Sequence, residues 1–321
     1  MSSSTRLTFS PGEIWPDNNR VHINAHGGGI LFHAGTYYWF GEHKIGGSAG
    51  NRAYVGVHVY RSTNLTEWTD EGIALAVHAD PDSDIVAGCT IERPKVIYNQ
   101  RTGKFVMWFH LELKDQGYRA ARSGVAVADH VTGPYTFIES FRPDDSMARD
   151  MTLFVDEDGL AYHLYASEEN KTLHIGVLSD DYLKPSGTHV RVFEDRYMEA
   201  PAVCKRGGHY YFLASGCSGW DPNAARSARA ESMLGPWEEL GNPCRGVNPA
   251  LGLGPEKTFG AQSTFILPVE GKDDAFIAMF DIWTPKDAID GRYVWLPIDF
   301  ADDGHSITWR DEWDLSLFDQ R

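Results

Sequence analysis

The chain has no apolar run long enough to cross a bilayer. Its opening residues, Met1-Ser2-Ser3-Ser4-Thr5-Arg6, lack the apolar h-region of a secretory leader. Together these absences lead to the expectation of a cytoplasmic protein, or a secreted one where a leader has been removed. Cysteine is scarce: Cys89, Cys204, Cys217 and Cys244 show no C-x-x-C spacing. That pattern predicts free thiols and argues against a disulfide framework or a zinc site. Basic residues are outnumbered 45 to 29 by acidic ones, a net charge of −16. A surface this acidic excludes nucleic acid and anionic membrane as natural partners. No long segment carries a 3.6-residue apolar period, so helices should be rare.

What the chain has is aromatic side chains, at 12% of residues, and a recurring strand–glycine–strand pattern. Aromatics suit strand faces, and exposed ones stack on sugar rings. The clearest copy of the pattern is Tyr197-Met198-Glu199-Ala200-Pro201-Ala202-Val203, then Gly207-Gly208, then His209-Tyr210-Tyr211-Phe212-Leu213. A polar residue opens a short apolar run, a glycine turn follows, and an aromatic-rich run returns, which is a β-hairpin. Four more copies open at His26, Glu92, Asp150 and Gln262, with turns near Gly35, Gly103, Gly159 and Asp273.

Each hairpin is followed by two further candidate strands. In the fourth unit one of them, Ala225-Arg226-Ser227-Ala228-Arg229-Ala230, is weak by propensity and is assigned by its place in the repeat. Units of about 50–70 residues with four strands each predict an all-β fold, a five-bladed β-propeller. Residues 1–20 read as an N-terminal arm, with Pro11 and Pro16 opposing a helix, and residues 21–321 as one catalytic domain.

In a propeller the inner strands surround one channel, so His26, Glu92, Asp150, Glu199 and Gln262 should converge. One carboxylate at a strand start is most often structural; three at equivalent places are harder to dismiss. Crowded carboxylates drive their pKa values apart, so that one donates a proton while another stays ionised. Glycoside hydrolysis requires that division of labour. His26, beside three glycines, contacts substrate or a metal, or is a hydrogen-bonded structural residue; the sequence leaves these open. Gly46-Gly47-Ser48-Ala49-Gly50 matches a nucleophile elbow but lacks the helix that motif needs. Asn64-Leu65-Thr66 is a glycosylation sequon that carries little weight without a leader.

The ordered set Ala25-His26-Gly27-Gly28-Gly29, Ile91-Glu92-Arg93-Pro94-Lys95-Val96, Arg149-Asp150-Met151, Glu199-Ala200-Pro201, Ser218-Gly219-Trp220-Asp221-Pro222-Asn223, Gly260-Ala261-Gln262-Ser263 and Tyr293-Val294-Trp295-Leu296-Pro297 resembles glycoside hydrolase family 43. More narrowly, it resembles the exo-β-1,3-galactanase subfamily, subfamily 24. The resemblance runs from about Val21 to Trp309. It implies a five-bladed propeller and an inverting hydrolase that releases galactose from β-1,3-linked galactan.

The resemblance also assigns roles. Glu199 matches the general acid and Asp150 the group that tunes its pKa. Where most of the family has a first-blade aspartate base, this chain has Ala25-His26-Gly27. The subfamily shares that gap and has a glutamine at the position of Gln262, for which an imidic-acid tautomer has been suggested as base. In some members a second-blade glutamate, here Glu92, is thought to serve. The expectation is that Gln262 holds the attacking water, with Glu92 as its rival. Glu42, Tyr118, Asn170, Ser218, Trp220 and Asn223, in loops after the inner hairpins, are candidate substrate contacts beside His26. No metal site or cofactor is implied, with room left for a structural calcium ion. The expected partner is carbohydrate, the β-1,3-galactan of arabinogalactan. Rival readings are a family 43 α-L-arabinofuranosidase or β-xylosidase, and a non-catalytic sugar-binding propeller.

Overall fold

The computed structural model describes residues 7–302 and 304–320. Five antiparallel sheets follow one another along the chain. The first holds β1 (His26–His33), β2 (Thr36–Glu42), β3 (Gly56–Ser62) and β4 (Thr69–Ala76). The second holds β5 (Thr90–Asn99), β6 (Lys104–Glu112), β7 (Arg122–Ala128) and β8 (Thr136–Phe141). The third holds β9 (Met151–Val155), β10 (Ala161–Ser167), β11 (Thr172–Leu178) and β12 (Pro185–Val192). The fourth holds β13 (Met198–Arg206), β14 (His209–Gly216), β15 (Arg226–Ala230) and β16 (Glu238–Gly241). The fifth holds β18 (Gln262–Pro268), β19 (Phe276–Ile282), β20 (Arg292–Ala301) and β21 (Gly304–Thr308). It also takes in β17 (Cys244–Arg245), which pairs parallel to β21 and was not expected from sequence.

The inner strands β1, β5, β9, β13 and β18 pack each against the next, and β18 packs back on β1. The architecture is therefore a closed five-bladed β-propeller. Among the described residues the helical elements are short 3₁₀ turns. Burial explains the strand assignments. Strand β6, Lys-Phe-Val-Met-Trp-Phe-His-Leu-Glu, is buried from Phe105 onward because sheets cover both of its faces. The outer strand β12 is mostly exposed, as an outer edge should be. Strand β15 overrides its poor propensity because it is sandwiched between β14 and β16, with Ser227, Ala228 and Ala230 buried.

All four strands of the fifth blade come from the C-terminal part of the chain, so among the described residues no N-terminal strand joins that blade. Closure falls to the arm. Phe9 bridges Trp313 through two backbone hydrogen bonds, and Gly12 N–H donates to the Tyr293 carbonyl. Phe9 stacks on Trp313 with ring centroids 4.4 Å apart, and Trp15 meets Trp295 edge-on at 5.0 Å. Trp39 of the first blade lies 4.7 Å from Trp295 of the fifth. These rings make one aromatic cluster across the junction of the first and last blades. Residues Met1–Arg6 of the expected arm lie outside the described residues. All four cysteines are free thiols.

Candidate active site

The site is built by a repeated backbone irregularity. In four inner strands the ladder register slips just after the opening residue: between His26 and Gly29, Glu92 and Lys95, Glu199 and Ala202, and Ser263 and Phe265. Such bulges bend a strand and re-aim its side chains. In three of them the residue after the opener has left-handed backbone: Gly27 (φ 61°), Arg93 (φ 55°) and Ala200 (φ 56°). Arginine and alanine pay for that conformation, on the order of 1–3 kcal/mol each, a strain typical of functional sites. Glycine at position 27 answers a second demand, since a Cβ there would sit 2.1 Å from Glu42 Oε1.

Four of the five openers, Glu92, Asp150, Glu199 and Gln262, face one cavity of about 280 Å³. Glu42, Glu92, Tyr118, Asp150, Asn170, Glu199, Trp220 and Gln262 all line it. Lys44, Asn51, Arg93, His110, Arg149, Gly219 and Trp283 line it too, and the sequence reading assigned none of them a role. Trp283 follows the inner hairpin of the fifth blade, so the rule that selected Trp220 would have found it.

Arg93 is the hub. Its guanidinium pairs with Asp150 Oδ2 at 2.9 Å and donates to Gln262 Oε1 at 2.6 Å and to the Ser263 carbonyl at 2.9 Å. Its backbone N–H donates to Glu42 Oε1 at 2.9 Å. Glu42 in turn pairs with Lys44 at 2.5 Å. One buried residue thus ties its own blade to three others, two through its side chain and one through its backbone.

Glu199 has the character of a proton donor. Burial, and then the charge of Asp150, push its carboxyl from 4.5 up to about 7. Arg93, the Cys217 thiol and Gln262 oppose the rise without cancelling it. Asn170 Nδ2 donates to one carboxyl oxygen at 3.2 Å and Gln262 Nε2 to the other at 3.0 Å.

The orientation of the Gln262 amide is fixed by its neighbours. Arg93 and the Trp283 indole N–H, at 2.8 Å, can only donate, so the atom they meet is the carbonyl oxygen. The amide nitrogen donates to Glu199 and to Ser215 Oγ at 2.9 Å. An imidic-acid tautomer would aim its O–H at two donors, so these contacts hold Gln262 as the amide. While all four contacts are made, no donor or acceptor of Gln262 is left for a water. Here the group expected to hold the nucleophile holds the acid instead.

Glu92 is the opposite of Glu199. Burial works against its ionisation, but His110, Lys44 and Tyr118 outweigh that and bring the carboxyl down to about 2. Tyr118 hydroxyl donates to Oε1 at 2.5 Å, and His110 Nδ1 lies 3.0 Å from Oε2. Glu92, His110 and Asp150 offer ligand atoms within 4.8 Å of one another. His110 is held at its other nitrogen by Glu112 at 2.9 Å. With a carboxylate facing each of its nitrogens, the His110 ring is set to pair with Glu92 and Glu112.

Three expected contacts do not line this cavity. His26 is fully buried, stacked on Tyr293 at 5.4 Å, because the bulge turns its ring behind the strand. Burial holds its pKa well below the ordinary value. It is a structural histidine, not a substrate contact. Asn223 spends its amide on Gly216 N–H and C=O, at 2.7 and 2.8 Å, and on Ser218 Oγ at 2.6 Å. Ser218 bonds the Asp221 carbonyl at 2.5 Å. Both shape the loop that carries Trp220. Asp281, unremarked in the sequence, is buried opposite Gln262 and accepts from Gly27 N–H at 2.6 Å.

A carboxylic acid that keeps its proton near neutrality, beside an ionised carboxylate and two tryptophans in a small cavity, is the equipment of a glycoside hydrolase. The description Glycosyl hydrolases family 43 matches residues 29–244. The chain belongs to that family. Among solved structures it is similar to a family 43 β-1,3-galactosidase with galactodeoxynojirimycin, at 46% identity and TM-score 0.91, covering 96% of this chain and 100% of that one. It is also similar to an exo-β-1,3-galactanase from Phanerochaete chrysosporium with β-1,3-galactotriose, at 34% identity and TM-score 0.85, covering 96% of this chain and 68% of that one. A curated xylosidase/arabinosidase 43B from Humicola insolens is 24% identical over 205 residues, 58% of this chain. The chain spans 36% of the length of that relative.

Proposed function

We propose that the chain is an inverting, exo-acting hydrolase that releases galactose from β-1,3-linked galactan, including the galactan of arabinogalactan. The observation that carries the reading is the Glu199 carboxyl pKa, raised by burial and by the charge of Asp150, in a chain aligned over nearly its whole length with a β-1,3-galactosidase. Glu199 protonates the glycosidic oxygen as the bond breaks. Asp150, anchored by Arg93, keeps that proton in place until transfer. Sugar binding turns Glu199 from Gln262 towards the glycosidic oxygen before the bond breaks. The amide released in this way helps hold the water that adds to the anomeric carbon as the bond breaks, and the proton shed by that water passes to solvent. Glu92 accepts hydroxyls of the sugar, and Trp220 and Trp283 offer apolar faces to the rings.

The test is a substrate panel. β-1,3-Galactobiose should release galactose, with the first-formed anomer read by proton NMR as the inverted one. Aryl arabinofuranoside and xyloside should be turned over far more slowly. Faster release of arabinose or xylose would return the reading to the arabinofuranosidase or xylosidase class. Inside the site, Gln262→Ala should lose turnover with a smaller change in KM, and azide should fail to rescue Glu92→Ala. Azide rescue with inversion would make Glu92 the base.

A further inference from the structure

Behind Glu92 stands a second layer that the mechanism above does not use. His110 and Glu112 lie two residues apart on β6 and so share a face of the strand. Strand β6 pairs with β5 so that His110 sits directly across from Glu92. The ring is 1% exposed, and a carboxylate lies at each nitrogen: Glu92 Oε2 at 3.0 Å from Nδ1 and Glu112 Oε1 at 2.9 Å from Nε2. Glu112 cannot turn away, because its second oxygen accepts from Ala121 N–H at 2.9 Å. A neutral imidazole carries one N–H, so it would press a lone pair against one of these carboxylates. Nδ1 faces Glu92 without an aligned hydrogen bond, so that contact is ionic, and a doubly protonated ring is attracted to both carboxylates.

On the other side of Glu92, Tyr118 hydroxyl donates to Oε1 at 2.5 Å. Oε1 therefore holds one hydrogen-bond donor and Oε2 one ionic contact, and each keeps a lone pair for a further donor. Glu92 lines the cavity and Glu112 does not. We propose that His110, braced by Glu112, is a positioning residue that fixes Glu92 as an ionised, two-oxygen acceptor for hydroxyls of the bound sugar. The proposal rests on the glycosidase reading for the identity of the ligand and on the Glu112–His110–Glu92 geometry for everything else.

The charged and titratable groups around the pair agree with this. Lys44 from the first blade and Arg93 beside Glu92 are cationic; Asp150, ahead of β9, and Glu112 are anionic; Tyr118 comes from the loop after β6. Ser123, across the ladder from His110 on β7, is neutral. Burial opposes the His110 charge, but Glu112 and Glu92 override it and hold the ring up at about 9. With Glu92 held down at about 2, the two groups remain charged together between those limits.

The experiment has a binding arm and a spectroscopic arm. His110→Gln removes the cation and keeps one donor. It should lower kcat/KM about 10- to 100-fold, mainly through KM, as expected for losing a hydrogen bond to a charged group. Glu92 should then titrate in its ordinary range, bringing a new acidic limb in kcat/KM near about pH 4–5. A purely structural role would lower the melting temperature and leave the shape of the pH profile untouched, and that result overturns the proposal. In the unmodified protein, ¹⁵N shifts of His110, assigned through its contact with Tyr118, should show both nitrogens protonated at pH 7. Glu112→Gln, which keeps the shape, should let the ring deprotonate at lower pH. A neutral His110 at pH 7 overturns the proposal. The NMR measurement needs no substrate, so it stands even if galactobiose proves the wrong sugar.

Discussion

Asp150→Asn removes a charge and keeps a shape, which makes it a clean test of how Glu199 holds its proton. The Glu199 carboxyl stands at about 7 because burial raises it first and the Asp150 charge raises it further, against Arg93. Asparagine leaves the burial in place and removes the repulsion. It also takes from Arg93 the carboxylate it pairs with at 2.9 Å, so more of that positive charge acts on Glu199. Both changes lower the pKa. At pH 7 the native acid is about half protonated; a fall of one unit leaves about a tenth, and two units about a hundredth. Turnover of β-1,3-galactobiose at pH 7 should therefore drop about 5- to 50-fold, with most of the loss recovered on acidification. The assay is kcat against pH from 4 to 9 for both proteins. An aryl β-galactoside with an acidic leaving group serves as control, because it needs little protonation and should lose less. A basic limb that stays where it is, or a loss that acid does not recover, would refute the role given to Asp150.

Glu199→Gln should cost about 10²–10⁴-fold on galactobiose and less on the aryl substrate. The same variant should be more stable than the native chain at pH 8 but not near pH 4. Folding raises the Glu199 pKa from 4.5 to about 7, so as pH climbs between them the unfolded chain releases a proton that the folded one retains. That penalises the fold by on the order of 1–3 kcal/mol, read as a melting-temperature difference at the two pH values. Gly27→Ala places a Cβ on Glu42 Oε1 in left-handed backbone, so Arg93 should lose its anchor. We expect at least a tenfold drop in kcat/KM and a stability loss of about 1–3 kcal/mol by denaturant titration. We expect chelation to leave activity and melting temperature unchanged, since each His110 nitrogen in the Glu92–His110–Asp150 trio faces a carboxylate; a calcium-dependent rise in melting temperature would contradict this.

The blade count was legible because each unit repeats the same opener, hairpin and outer pair. The positions of Glu92, Asp150 and Glu199 were legible for the same reason. The orientation of side chains at the bulges was not. His26 opens its strand as Glu92 and Glu199 open theirs, yet its ring turns behind the blade and stacks on Tyr293. No one-dimensional pattern distinguishes an opener that faces the channel from one that faces the neighbouring blade. Arg93 was written inside the quoted motif, but its role depends on contacts with Asp150, Gln262 and Ser263, which are distant in the chain. Nothing in the sequence marks His110 and Glu112, and only the register opposite Glu92 gives them chemistry. Ser218 and Asn223 lie in the right loop but spend their polar groups on its shape.

The ring is joined by rings of another kind. Phe9 and Trp313 are hydrogen-bonded neighbours from opposite ends of the described chain, held with Trp15, Trp39 and Trp295 in one aromatic clasp. The polar lining of the cavity is shared out around that circuit: Glu42 from the first blade, Glu92 from the second, Asp150 from the third, Glu199 from the fourth and Gln262 from the fifth. No arc shorter than the whole circle owns a complete set. Arg93 reaches across the clasped junction, touching Glu42 on one side and Gln262 on the other. Parting the clasp therefore pulls the amide off the guanidinium while every blade keeps its own ladder. Turnover becomes a gauge of closure, and it should register an opened junction before circular dichroism registers a lost strand.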